Sequence, residues 1–180
     1  MAVTFTVEDG TGLSSSNAYA SVDDVTTYIT DRGGNDTWGG KPSAEKQAEI
    51  IVASDYIDAR WGGQFRGYRT SSTQAMEWPR ASAYDDAGYT LEEVPTAIVE
   101  ALAEYVIVLQ TEDSLAPNPT YDASGRPVTE EEREAGGSAG KVRTRVRFTP
   151  GGLPLTWRAY PVADGKLREL VTGGSGTMRV

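Results

Sequence analysis

The chain has no cysteine and no histidine among its 180 residues. Their absence excludes disulfides, Cys/His zinc sites, Ser-His-Asp triads and Cys-His nucleophile pairs. Carboxylate-only chemistry and an oxygen-ligated cation survive that cut, but the Asp residues show no EF-hand spacing. No run approaches the ~18 apolar residues of a membrane span, and the opening Met1-Ala2-Val3-Thr4-Phe5 carries neither a basic nor a long apolar signal region. Positive charge is also scarce. With 17 Lys and Arg against 26 Asp and Glu, the net charge is -9, which opposes binding that rests on neutralising phosphates. The expectation is a non-enzymatic product made in the cytoplasm, without membrane contact and without a cofactor.

What is present reads as a loop-rich globular chain: 38% hydrophobic residues, with 20 glycines and 9 prolines. Ser21-Val22-Asp23-Asp24 has the form of a helix start, with Val22, Val25 and Ile29 on one face and Gly33-Gly34 as a stop. A second helix is predicted from Ser43, after Pro42, with a stripe of Ile50, Ser54, Ile57 and Trp61 ending at Gly62-Gly63. Pro95 suits the first turn of a third, whose Ile98, Leu102, Tyr105 and Leu109 stripe is widened by Ala101, Val106 and Val108. That helix is expected to be central and most buried.

From Thr111 to Gly140 the periodicity stops, and the run Glu130-Glu131-Glu132-Arg133-Glu134 reads as a projecting acidic loop with at most one short helix. Strict alternation from Lys141 to Phe148 then predicts a strand, with Val142, Thr144, Val146 and Phe148 on one face and Lys141, Arg143, Arg145 and Arg147 on the other. Tyr160-Pro161 opens a last short helix through Leu167, Leu170 and Val171. The expected class is therefore mainly α: a small bundle of three main helices plus a short C-terminal helix, a small β element and extended arms. The divisions are an N-terminal arm (1–20), a helical body (21–110), the acidic loop (111–140), a β element with its helix (141–171) and a Gly-rich tail (172–180).

Candidate sites are few. Gly10-Thr11-Gly12 imitates a phosphate loop but lacks the spacing of one, so it reads as a turn. The carboxylates at helix starts and in the acidic run are explained by dipoles and solvation. Arg60, Arg66, Arg69 and Arg80 interleave with Trp61, Phe65, Tyr68 and Trp78, a mixture suited to single-strand stacking or to a protein interface. The acidic balance of the chain favours the interface. Its candidate residues are Arg60, Trp61, Arg66, Tyr68, Arg69, Trp78 and Arg80, the strand cations Lys141, Arg143, Arg145 and Arg147, and Met178 and Val180 in the tail.

The order of short motifs adds a resemblance. Val7-Glu8-Asp9-Gly10-Thr11-Gly12, Ser16-Asn17-Ala18-Tyr19-Ala20-Ser21-Val22, Asp31-Arg32-Gly33 and Ala53-Ser54-Asp55-Tyr56-Ile57-Asp58 are followed by Phe65-Arg66-Gly67-Tyr68-Arg69 and Glu77-Trp78-Pro79-Arg80. Over roughly residues 3 to 110 this order resembles the head-tail connector (adaptor) proteins of tailed bacteriophages, relatives of which are also labelled DnaT-like single-stranded-DNA-binding proteins. The resemblance implies a homo-oligomeric ring, commonly of twelve copies, at the virion neck. Its partners would be the portal and the stopper, tail-terminator or tail-tube proteins, with genomic DNA passing through the channel. The second label implies single-strand binding instead.

Overall fold

The computed structural model describes residues 4–91, 93–116, 120–121, 127–134, 143–148 and 157–172. Lys141, Met178 and Val180 lie outside the described residues, as does the Gly-rich tail beyond Thr172. The fold is mainly helical, and the chain divides into two units: Met1–Leu115 with Ala159–Val180, and Ala116–Arg158.

In the first unit, α1 (Val22–Asp31) starts as its sequence demands. The Ser21 hydroxyl accepts from the Asp24 N–H, and the Asp24 carboxylate returns a bond to the Ser21 N–H. It ends where Gly34 donates to the Ile29 carbonyl. One turn, α2 (Asp36–Gly40), follows; Asn35 caps it, and it delivers Trp38 into the core with its indole N–H on Thr26 Oγ1. The long α3 (Ser43–Trp61) buries Ile50, Ser54 and Ile57, three members of its predicted stripe, and Tyr19 N–H donates to the buried Ser54 hydroxyl. Its end tightens into a 3-10 turn at Gly62–Gln64.

A two-residue ladder then pairs β1 (Tyr68–Arg69) antiparallel with β2 (Arg80–Ala81). Gly67, at φ +70°, lies against the 81–83 backbone, where a Cβ would collide with the Ala81 carbonyl oxygen. Next, α4 (Thr96–Leu109) buries Ile98, Ala101, Leu102, Tyr105 and Val106 and packs against α1, α3 and α5 (Pro161–Leu167), the central position that its all-round apolar sequence predicts. After α5 the chain closes with a 3-10 turn, Arg168–Leu170, and a bridge between Val171 and Phe65.

The opening residues differ from the expected arm. Val7 bridges to Ala18, and Ala18, Tyr19 and Ala20 are fully buried, so this stretch is part of the body. Its organiser is the buried Glu8, whose carboxylate accepts from the N–H groups of Gly10, Gly12 and Leu13 at 2.8–3.1 Å and from the Ser16 hydroxyl at 2.7 Å. The amide nest that could hold a phosphate is filled by the chain's own carboxylate, which explains Gly10-Thr11-Gly12 as a structural turn.

The second unit is a three-stranded antiparallel sheet in the order β3 (Thr120–Tyr121), β4 (Pro127–Glu134), β5 (Arg143–Phe148). The acidic run expected in a loop or short helix is thus strand β4. Its register sets Glu130 opposite Arg147, Glu132 opposite Arg145 and Glu134 opposite Arg143.

Candidate functional site

The segment from Arg60 to Arg80 interleaves four arginines with four aromatics, and the fold draws nearly all of these side chains inward. Trp78 is fully buried, with its ring edge-on to Phe65 at 5.8 Å. The Arg80 guanidinium, on a side chain only 9% exposed, donates from Nε to the Arg66 carbonyl (2.8 Å), from Nη2 to the Gly67 carbonyl (3.0 Å) and from Nη1 to the Glu77 carboxylate (2.7 Å). Arg66 ties three separate pieces together: the Val171 carbonyl (3.0 Å), the Tyr84 carbonyl (2.9 Å) and the Asp86 carboxylate. Arg69 donates to the Gln74 carbonyl. A rigid fork of donors suits this work, since loop carbonyls pointing inward otherwise lack partners.

Arg60 anchors a second network, where α3, α4 and α5 meet. It donates to the Tyr56 hydroxyl (2.7 Å) and to Asp164 of α5 (2.7 Å), and its guanidinium lies 4.8 Å from the centre of the Trp61 ring. Asp164 also accepts from the Tyr105 hydroxyl (2.6 Å) and the Tyr160 N–H (2.9 Å), while the Trp61 indole donates to Tyr105 (3.1 Å). Burial, reinforced by the Asp164 carboxylate, pushes the Tyr105 hydroxyl well above its usual range, so it stays a donor. Tyr160 closes the group by donating to the Leu115 carbonyl (2.8 Å), which joins the two ends of the body's chain across residues 116–158.

A third network centres on Tyr19 and Asp58, neither of them a candidate site residue from the sequence. Asp58 accepts from the Tyr19 hydroxyl and from the Glu77 N–H (3.1 Å); the Tyr19 oxygen in turn accepts from the N–H groups of Glu77 (3.1 Å) and Trp78 (3.2 Å). Burial pushes the Asp58 carboxyl up to about 6, against the lowering effect of the Tyr19 and Glu77 bonds. Tyr19 and Asp58 both sit inside the ordered motifs, so these motifs code for a buried polar junction between the opening loop, α3 and the Trp78 segment.

Of the seven candidates in this segment, Tyr68 alone is broadly exposed, at 62%. Two tyrosines that sequence reasoning passed over, Tyr84 (49%) and Tyr89 (74%), stand in the adjoining hairpin, where Tyr84 bridges to Thr90 and the Asp85 N–H donates to the Tyr89 carbonyl. Their signal was available in Tyr84-Asp85-Asp86-Ala87-Gly88-Tyr89, a turn sequence with an aromatic at each end. Arg143, Arg145 and Arg147 are held in the β4–β5 register described above. The structure therefore brings Arg66 and Arg80 together, places Arg60 in a separate junction, and leaves a tyrosine-bearing surface outside both.

A family model described as "Putative DnaT-like ssDNA binding protein" matches residues 3–180. The chain belongs to this family. No curated protein and no solved structure matches it. In this DnaT-like chain, the family's description coincides with the single-strand label that the motif order carried, whereas the connector part of that resemblance rests on the motifs alone.

Proposed function

We propose that this family member is a structural, non-catalytic subunit that works by self-assembly: a head-tail connector of a tailed phage, ringed beneath the portal and joined to stopper or tail proteins, around a channel for DNA. The observation that carries this reading is the use of Arg60, Arg66, Arg69, Arg80 and Trp78 inside the chain's own fold. Cations already committed to the chain's own carbonyls and carboxylates are poor phosphate ligands, and a fully buried indole offers no face to a base. The net charge of -9 favours a protein that lets DNA slide past it. The second unit adds support: among the described residues β3 and β5 are edge strands, and edges accept added strands from neighbours.

The family's description favours a second reading, single-stranded-DNA binding in replication. Tyr68, Tyr84 and Tyr89 give that reading a place, since exposed aromatics stack bases without sequence preference. Asp85 and Asp86 beside them oppose it by repelling phosphates. Light scattering after gel filtration of the chain mixed with its portal separates the two. A stoichiometric complex, with no oligonucleotide binding at physiological salt, is the expected outcome; steeply salt-dependent oligonucleotide binding without portal binding would replace the first reading with the second.

A further inference from the structure

Tyr84 and Tyr89, both exposed, belong to one hairpin over residues 83–91. Its base is closed by the Leu91 N–H on the Ala83 carbonyl (2.8 Å) and its turn by the Gly88 N–H on the Asp85 carbonyl (3.1 Å). The Asp85 carboxylate fixes the tip from within, accepting from the N–H groups of Ala87 (2.9 Å) and Tyr89 (2.8 Å). From outside, Arg66 grips the hairpin through the Tyr84 carbonyl and the Asp86 carboxylate. Ser82 and Glu93, on either side of it, both hold φ +54°, a left-handed backbone that residues other than glycine adopt only at a cost. All this bracing serves a stretch that is exposed from Asp86 to Thr90. The bonds that shape it come from backbone groups, Asp85 and Arg66, so the tyrosine rings are left to face outward.

Rigid aromatics on a pre-ordered tip suit a binding hot spot, because their contact area is in place before the partner arrives. Charge selects the partner. Asp86 is 82% exposed on the hairpin and the exposed Glu93 follows it in the chain, while Arg66 is committed to Val171, Tyr84 and Asp86. Carboxylates at this place repel phosphates, and a second copy brings a net charge of -9 of its own. An arginine or lysine on another protein meets both features at once, a carboxylate for its charge and a ring face for cation–π contact. Tyr68, opposite Ala81 in the ladder that leads into the hairpin, adds a further exposed ring.

We propose that the 83–91 hairpin is the contact by which this chain docks on the portal, with the Tyr84 and Tyr89 rings seated against arginine or lysine side chains of a portal subunit. The inference rests on the connector reading and assigns its portal-facing surface.

The test uses the full chain and the assembled portal, with affinity measured by isothermal titration calorimetry. Tyr84→Ser combined with Tyr89→Ser should raise Kd at least about tenfold, while the urea midpoint of the chain changes little because the hairpin's bonds remain. Ala87→Lys adds a cation at the exposed tip and keeps the Ala87 N–H on Asp85. It should raise Kd about threefold at low salt and less at high salt; tighter portal binding by this variant would overturn the choice of a cationic partner. A portal complex of unchanged affinity in every variant removes the hairpin contact and leaves the connector reading in place. No complex with the unaltered chain removes the connector reading, and this contact with it. If the serine variant keeps the portal and instead loses binding to a single-stranded oligonucleotide, the tyrosines belong to a nucleic-acid surface and the proposal fails.

Discussion

Arg80→Ala decides whether the arginine-aromatic segment serves the fold or a ligand. The native guanidinium satisfies two backbone carbonyls and the Glu77 carboxylate from a side chain 9% exposed. Truncation strands these acceptors and leaves a partly buried carboxylate uncompensated, a change that typically costs about 3–5 kcal/mol. With a urea dependence of about 2 kcal/mol per molar, the unfolding midpoint should fall by roughly 1.5–2.5 M. Arg80→Lys should recover little, because one ammonium cannot reproduce a fork spread over the Arg66 and Gly67 carbonyls. Urea titration followed by far-ultraviolet circular dichroism measures both variants. The contrary result is an unchanged midpoint together with a loss of oligonucleotide affinity and a salt slope shallower by about 0.7, the signature of one phosphate contact on a single strand. That would place Arg80 on a nucleic-acid surface and refute the assignment to the fold.

Three further outcomes follow from the other networks. Asp58 is raised in the folded state, so the folded chain binds its proton more tightly; the resulting stabilisation is fully present below the unfolded value near 3.8 and is lost as pH rises through about 6. Its size is about 3 kcal/mol, and Asp58→Asn should flatten that part of the stability profile measured by urea midpoints from pH 4 to 7; an identical slope in the variant would remove Asp58 as its source. Asp164→Asn weakens the anchor shared by Arg60, Tyr105 and the Tyr160 N–H, so hydrogen exchange in residues 161–167 should accelerate at least tenfold, and unaltered protection would show that apolar packing alone holds α5. Gly67→Ala forces a side chain against the Ala81 carbonyl at φ +70° and should destabilise the chain by at least about 2 kcal/mol; a neutral effect in thermal denaturation would mean that the 67–83 turn is free to rearrange.

Helices were legible in the sequence because local rules set them. Ser21 with Asp24, Pro42 before Ser43, and the Ile98-Leu102-Tyr105 stripe each carry their own start signal or period. Strand β4 was illegible because its pairing depends on a partner nine to seventeen residues further on, from Glu134 opposite Arg143 to Glu130 opposite Arg147, which no local period reports. The one-turn α2 is too short for a periodic signal. Among site residues, arginines next to aromatics look alike from sequence whether they face water or carbonyls, and burial decides between these. Tyr19, Asp58 and Asp164 were missed for the same reason, since each acquires its role from backbone N–H groups or side chains that the fold brings from elsewhere; Glu8 was missed although its partners lie within eight residues, because a turn that closes on its own carboxylate has the same glycines as one that binds an anion.

Native mass spectrometry of the full chain, alone and with a single-stranded oligonucleotide, tests the central claim most directly. The account predicts closed oligomers of one size formed by the chain alone, with no mass added by the oligonucleotide. A monomer at every concentration that gains mass only by taking up single-stranded DNA would contradict it.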